Sequence, residues 1–217
     1  MGPALDGGYY LLGMKEVQPS LFRNMEWSIE SVAEETRLAS DVGNEMALAM
    51  YGQLMDYTRQ ETLKLGGVDR LLYYSDFIPK SDMWSMGGFD RRLQDGPGLG
   101  ERMENAFTEA FSQGAERVII IGSDCPGVTS NLIVEAFGQL QENDLVLGPA
   151  LDGGYYLLGM KEVQPSLFRN MKWSIESVAE ETRLRAKEAN LSLAELPELS
   201  DVDYLEDWLS YGWDLPG

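Results

Sequence analysis
The residues best placed to do chemistry are aspartates that follow apolar runs. In Ile121-Gly122-Ser123-Asp124-Cys125-Pro126, a carboxylate comes directly after the β-branched stretch Arg117 to Gly122. Open α/β sheets bind ligands outside the carboxyl ends of their strands, so Asp124 stands where a ligand or its cation would be met. Gly122 permits close approach of a backbone or a ligand, and Pro126 stiffens the turn. The competing role for Asp124 is an Asx-turn that starts the next helix; the strand-end position favours chemistry. Asp152 lies in Gly148-Pro149-Ala150-Leu151-Asp152-Gly153-Gly154-Tyr155-Tyr156. There Asp-Gly-Gly reads equally well as a hairpin turn or as a site for a metal or a sugar hydroxyl. Asp201-Val202-Asp203 precedes the last helix. Asp203 reads first as its cap, and one carboxylate can both cap a helix and complete a metal site with Asp124. Arg91, Arg92 and Arg102 are cations in an acidic chain, and Arg102 lies in the first turn of a helix opened by Gly98-Leu99-Gly100-Glu101. Such a start can hold phosphate, and a solvated helix face explains the arginine equally well.

Composition narrows the chemistry further. There is no histidine. That removes the Ser-His-Asp triad, histidine acid–base catalysis and the usual zinc sites, and leaves carboxylates to hold any metal, which favours Mg²⁺ or Mn²⁺. The net charge of −19 repels nucleic-acid phosphates, so no nucleic-acid partner is expected. A nucleotide stays admissible because a divalent cation inverts the local charge. Cys125 is the single cysteine and has no His, Lys or Arg beside it, so it reads as a small buried residue in a reducing, cytoplasmic setting. No apolar run approaches the roughly 20 residues of a membrane span, and the N-terminus has no signal pattern.

These residues need elements to position them. The 217 residues suffice for one α/β domain with a substantial core. Arg117 to Gly122 reads as a strand buried on both faces. Thr129 or Ser130 caps a helix to about Glu142, and strands follow at Asp144 to Leu147 and Tyr155 to Met160. Upstream, helical spacing covers Asn44 to Lys64, Leu71 to Tyr74 is a strand, a loop spans about Asp76 to Gly98, and Leu99 to Gln113 is an amphipathic helix. Downstream, Ser174 caps a helix to about Ala189, Leu191 to Leu196 is an edge strand, and Asp203 with Glu206 opens the last helix as a capping-box variant. Trp84, Trp208 and Trp213 read as packing residues, and Trp173 as an anchor.

One stretch occurs twice. Residues 2–38 return as 148–184 with 36 of 37 positions identical, the exception being Glu26 against Lys172. The chain therefore divides into a duplicated segment, 1–38, and a domain, 36–217. The C-terminal copy follows its strand by a short connection, whereas the other reaches the same slot only through a loop of about 100 residues, a disadvantage of roughly a kcal/mol or more. The C-terminal copy is thus expected in the native slot. For the other, Tyr9 to Met14 is expected to fill a central strand position left vacant; the rivals are exchange into a second molecule, giving a swapped homodimer, and a segment that stays loose.

In order along the chain, Gly98-Leu99-Gly100-Glu101-Arg102-Met103, Gly122-Ser123-Asp124-Cys125-Pro126, Gly148 to Gly159, Lys172-Trp173-Ser174 and Asp201-Val202-Asp203 resemble a bacterial family of unknown function with the glycosyltransferase-A fold. The resemblance covers about residues 36–210, with a more distant similarity to phospholactate guanylyltransferase and the molybdopterin nucleotidyltransferases. It implies a three-layer α/β/α sandwich with a mixed, mostly parallel sheet, and a metal-dependent nucleotide-diphospho-sugar transferase; nucleotidyl transfer is the alternative. On that resemblance Asp124 and Asp203 hold Mg²⁺ or Mn²⁺, and Asp152 faces the acceptor or sugar. Arg37, Arg102, Gly122, Ser123, Gly153 and Gly154 contact the nucleotide or nucleotide sugar. Family members open with an apolar strand and a loop of Pro, Gly and Lys leading into Lys-Thr-Arg-Leu. Here only Thr36-Arg37-Leu38 of that remains, behind the second copy, which predicts impaired activity or an inactive scaffold.

Overall fold
The structure is a computed structural model that describes residues 10–14, 37–75, 77–173 and 176–216, with 10–14 and Arg37 described as backbone. Seven strands form one sheet in the order β3-β2-β1-β4-β6-β5-β7. The strands are β1 Tyr10–Met14, β2 Asp69–Tyr74, β3 Asp90–Leu93, β4 Arg117–Ile121, β5 Leu145–Pro149, β6 Tyr155–Met160 and β7 Leu193–Glu195. Among the described residues the helices are α1 Arg37–Val42, α2 Asn44–Leu63, α3 Leu99–Ser112, α4 Ser130–Glu142, α5 Val178–Glu188 and α6 Leu205–Ser210.

The β-branched run of β4 explains the layering. Val118 and Ile120 pack on one side with Phe107 of α3 and Ala179 and Ala186 of α5. Ile119 and Ile121 pack on the other with Ile133, Ala136, Phe137 and Leu140 of α4 and Met55 of α2. Successive strand residues point to opposite faces, so a strand covered twice must be apolar throughout. A third cluster joins Leu38, Met50 and Leu54 to Val202 and Trp208, tying α1 and α2 to α6. Trp208 is wholly buried, donates from Nε1 to the Asp214 carbonyl at 3.2 Å, and meets Trp213 edge-on; Trp84 is wholly buried too. Both tryptophans are packing residues, as the sequence suggested.

The fold is mixed α/β with helices on both faces of the sheet. Five strands (β2, β3, β4, β5 and β7) run one way, and β1 and β6 run the other. The expectation of a mostly parallel sheet therefore holds for strand direction but not for pairing, since β1 and β6 each separate two parallel strands and make the four pairs around them antiparallel. The C-terminal copy of the duplicated stretch supplies β6, between β4 and β5. Tyr10–Met14, from the other copy, takes the central place between β2 and β4. The two duplicates thus flank β4 on opposite edges, both antiparallel to it. They are one residue out of step: Leu157 of β6 pairs with Ile121, whereas its duplicate Leu11 pairs with Ile120. A slip of one residue exchanges the two faces of a strand, so one sequence is used in two registers. The rest of the N-terminal copy, and Ser174 as a helix cap, lie outside the described residues.

Two boundaries differ from the sequence reading. The segment read as one loop before α3 contains β3, whose Asp-Arg-Arg-Leu has no apolar alternation; edge pairing with β2 makes it a strand. The last helix begins at Leu205, and Asp207 rather than Asp203 or Glu206 serves its first turn, its Oδ2 accepting from Tyr204 N at 2.8 Å and Asp203 N at 3.1 Å.

Candidate active site
The carboxyl ends of β2, β3, β4, β5 and β7 share one rim of the sheet, and the predicted aspartates gather there. β4 is prolonged by Gly122 N donating to the Tyr156 carbonyl at 2.9 Å. The chain then turns through Asp124 into α4, whose cap is Thr129, its Oγ1 accepting from Leu132 N at 3.2 Å. A Cβ on Gly122 would lie 2.7 Å from Asp124 Oδ1, so the carboxylate folds back over a residue that has to be small. Ser123 is buried, and its carbonyl accepts from Thr58 Oγ1 at 3.5 Å.

The stretch after β7 brings the second carboxylate group in. Leu199 bridges Ala150, Leu151 N donates to the Leu199 carbonyl at 2.9 Å, and Val202 N donates to the Asp124 carbonyl at 2.9 Å. The segment carrying Asp201 and Asp203 is thereby laid between the Asp124 turn and the Asp152 hairpin. Asp152 makes the hairpin turn, Oδ1 accepting from Gly154 N at 2.8 Å. Gly153 holds φ +89° in that turn, and its carbonyl accepts from Ala179 N at 2.9 Å.

Asp201 was not singled out from the sequence as a site residue. Its Oδ1 is shut off from solvent and has no hydrogen-bond partner. Burial pushes its carboxyl well above the ordinary carboxylate range, and Asp124, Asp152 and Asp203 push it further. The available signal was the Asp-Val-Asp spacing, which in extended chain sets two carboxylates on one side. The donor set, oxygen throughout and over-supplied with negative charge, suits a hard divalent cation. Among the described residues, no group of three or more acidic or cysteine side chains yet converges closely enough to hold one.

The arginines are committed elsewhere. Arg102 donates from Nε to the Gly96 carbonyl at 2.9 Å and from Nη1 to Gln94 Oε1 at 3.0 Å, bracing the loop before α3. Arg91 donates to the Pro79 carbonyl at 3.0 Å and pairs with Asp82, and Arg92 pairs with Asp90 and Glu109. Arg37 opens α1 in its backbone, and its side chain is outside the described set. Cys125 is buried. Burial first, then Asp201 and Asp124, push its thiol far up, which fits an inert residue rather than a nucleophile.

The raised Asp201 carboxyl has a sign that can be checked. Below about pH 4, near the ordinary carboxyl pKa, it is protonated folded or unfolded and costs nothing. As the pH rises through its elevated folded value, the chain loses stability. Asp201→Asn is therefore expected to raise the metal-free Tm at pH 7–8, by about 2–4 °C for each kcal/mol relieved, with the gain fading toward pH 4. A variant that melts at the wild-type temperature across that range would show Asp201 to be an ordinary carboxylate.

Comparison with known proteins bears on the family and the fold. Residues 1–29 and 58–175 match the family described as uncharacterized protein conserved in bacteria (DUF2064). The two matched stretches end at Ile29 and Ile175, equivalent positions of the duplication. No protein of curated function matches the chain in sequence. A crystal structure from Desulfovibrio desulfuricans G20, provisionally assigned as a nucleotide-diphospho-sugar transferase, superposes with TM-score 0.70 at 32% identity, over 77% of this chain and 75% of that one. CMP:2-keto-3-deoxy-manno-octonic acid synthetase complexed with CTP superposes with TM-score 0.50 at 11% identity, over 73% of this chain and 85% of that one. A cytidylyltransferase from Leptospira borgpetersenii serovar Hardjo-bovis does so with TM-score 0.50 at 11% identity, over 74% and 77%. These last two share the fold. Among the described residues, no helix is long and apolar enough to cross a membrane. With more than half of its length matched, the chain belongs to the DUF2064 family of bacterial proteins.

Proposed function
We propose that the chain is a transferase that takes a nucleotide sugar, or a nucleotide, with the help of Mg²⁺ or Mn²⁺. The observation that carries this reading is the partnerless, solvent-excluded Oδ1 of Asp201 beside the like charges of Asp124, Asp152 and Asp203 at the carboxyl rim of the sheet. A buried carboxyl oxygen without a partner is costly, and a cation bound with a diphosphate would give the Asp201 oxygen a partner and offset the like charges around it. The 32% identical structure assigned as a nucleotide-diphospho-sugar transferase supports the same substrate class.

In this reading Asp124 and Asp203 would hold the cation, with Asp201, in its ionised form, as a further oxygen donor. Asp152 accepts from a hydroxyl of the sugar or acceptor while Gly153 and Gly154 keep its turn tight. A bound divalent ion would supply charge compensation for the departing diphosphate. Histidine is not needed, because oriented carboxylates can fix the reacting groups by position and charge.

The reversed β1 favours a second reading. Where a β1 parallel to β4 would run out into the rim, this one begins there, so no phosphate-holding loop follows it at that point. On that reading the chain is a silent scaffold, alone or as the swapped homodimer that the duplication allows.

A melting panel of nucleoside diphosphates, triphosphates and nucleotide sugars with Mn²⁺ separates the readings. Transferase function predicts stabilisation by at least one diphosphate ligand, about 2.7 kcal/mol at a concentration 100 times Kd. Release of pyrophosphate from a triphosphate would assign nucleotidyl transfer instead. A flat panel, with dimers in sedimentation, would assign the scaffold.

A further inference from the structure
We infer that Gln94 reads the nucleobase of the donor, through a hydrogen bond from its side-chain amide to a carbonyl oxygen of the base. This deepens the transferase reading and rests on it.

Gln94 follows β3 directly, and its backbone N donates to the Tyr74 carbonyl at 2.8 Å, so it stands at the carboxyl rim beyond β2 and β3. Its amide can face only one way. Arg102 Nη1, a donor without acceptor capacity, occupies Oε1 at 3.0 Å, which leaves Nε2 with hydrogens to donate elsewhere. Arg102 is itself held by the Gly96 carbonyl at 2.9 Å, so the lock does not swing. Nε2 is nevertheless shut off from solvent and has no hydrogen-bond partner. A desolvated NH₂ with nothing to donate to is destabilising, and a ligand acceptor removes that cost.

The sheet supplies the distance. Three strand spacings separate β3 from β4, about 14 Å at about 4.8 Å each, between Gln94 and the Asp124 turn. An outstretched nucleoside diphosphate covers a gap of that order. With its diphosphate at the carboxylates, its base arrives at Gln94. A locked donor accepts a ring carbonyl, as in uracil, cytosine or guanine, and opposes the exocyclic amine of adenine. Sites built around one polar group reject ligands that lack its complement far more sharply than apolar pockets do.

The test compares the affinities of UDP, CDP, GDP and ADP, each with Mn²⁺, for wild type, Gln94→Glu and Gln94→Met. Gln94→Glu keeps the shape and the Arg102 contact but replaces the donor with an acceptor. It is expected to weaken the preferred carbonyl-bearing nucleotide about tenfold or more and to shift preference toward ADP. Gln94→Met removes the donor together with the oxygen that Arg102 holds, and is expected to weaken the preferred nucleotide without favouring ADP. Melting in the absence of nucleotide confirms that both variants are folded. Unchanged affinity and preference in the variants would overturn the assignment and leave the amide a loop brace, with the transferase reading standing. If none of the four binds wild type, both fall together.

Discussion

Asp124→Asn is expected to cost at least about 100-fold in turnover of whichever nucleotide sugar the protein accepts, and to remove the Mn²⁺-dependent rise in Tm that the nucleotide gives. The reason is position. Asp124 lies beyond the carboxyl end of β4, its main-chain carbonyl fixed by Val202 N at 2.9 Å, and is one of the carboxylates that raise Asp201. Asparagine keeps the size and the turn but withdraws a full charge, and an amide oxygen is a much weaker ligand for a hard cation. The metal-free protein should be slightly stabilised, because one of the charges acting on Asp201 has gone. Loss of activity together with a lower metal-free Tm would instead mean that the substitution broke the fold. A variant that still shows the Mn²⁺-dependent shift would falsify the assignment of Asp124 as a ligand.

Gly153→Ala carries the largest expected loss of stability, about 3 kcal/mol or more, or about 6–12 °C in Tm. Two effects add. At φ +89° a Cβ is intrinsically unfavourable by about 1–2 kcal/mol. The added atom would also lie 1.9 Å from the Glu176 carbonyl oxygen and 2.5 Å from its carbon, both main-chain atoms that no rotamer can move aside. The turn would have to open, straining the hydrogen bond from Ala179 N to the Gly153 carbonyl and the pairing of β5 with β6. Thermal melting measures the loss. The same change at the duplicate Gly7 is the matched comparison. A large loss at Gly153 with little at Gly7 is the expected pattern, and equal losses would mean that both copies depend on this turn.

The arginines show how much a motif leaves open. Arg102 in a glycine-rich helix start suits a phosphate, yet the folded chain spends two of its donor positions on Gly96 and Gln94. What Arg102 orients is the amide of Gln94, whose Nε2 is left without a partner. A guanidinium that shapes a loop and one that grips an anion have the same neighbours in sequence, and differ only in which acceptors the fold brings within reach.

Local sequence determined the elements whose pattern is strong enough to stand alone. The β-branched run of β4 was legible because only a strand covered on both faces carries so many consecutive apolar residues. Thr129 announced α4, and helical spacing announced α2 and α3. The acidic, histidine-free composition narrowed any metal site to carboxylates, and the strand-end rule pointed to Asp124. Tertiary structure decided the rest. β3 has charged residues and no period, and it exists because β2 offers a free edge. Tyr10–Met14 and Tyr156–Met160 are the same five residues, so no local preference could give them different registers on β4; the opposite edges they occupy did that. The Asp201 carboxyl is pushed up because Leu199 docks on the Asp152 hairpin and Val202 on the Asp124 turn, which buries it among like charges. Burial and charge proximity are properties of segments brought together, and none of those segments records them alone.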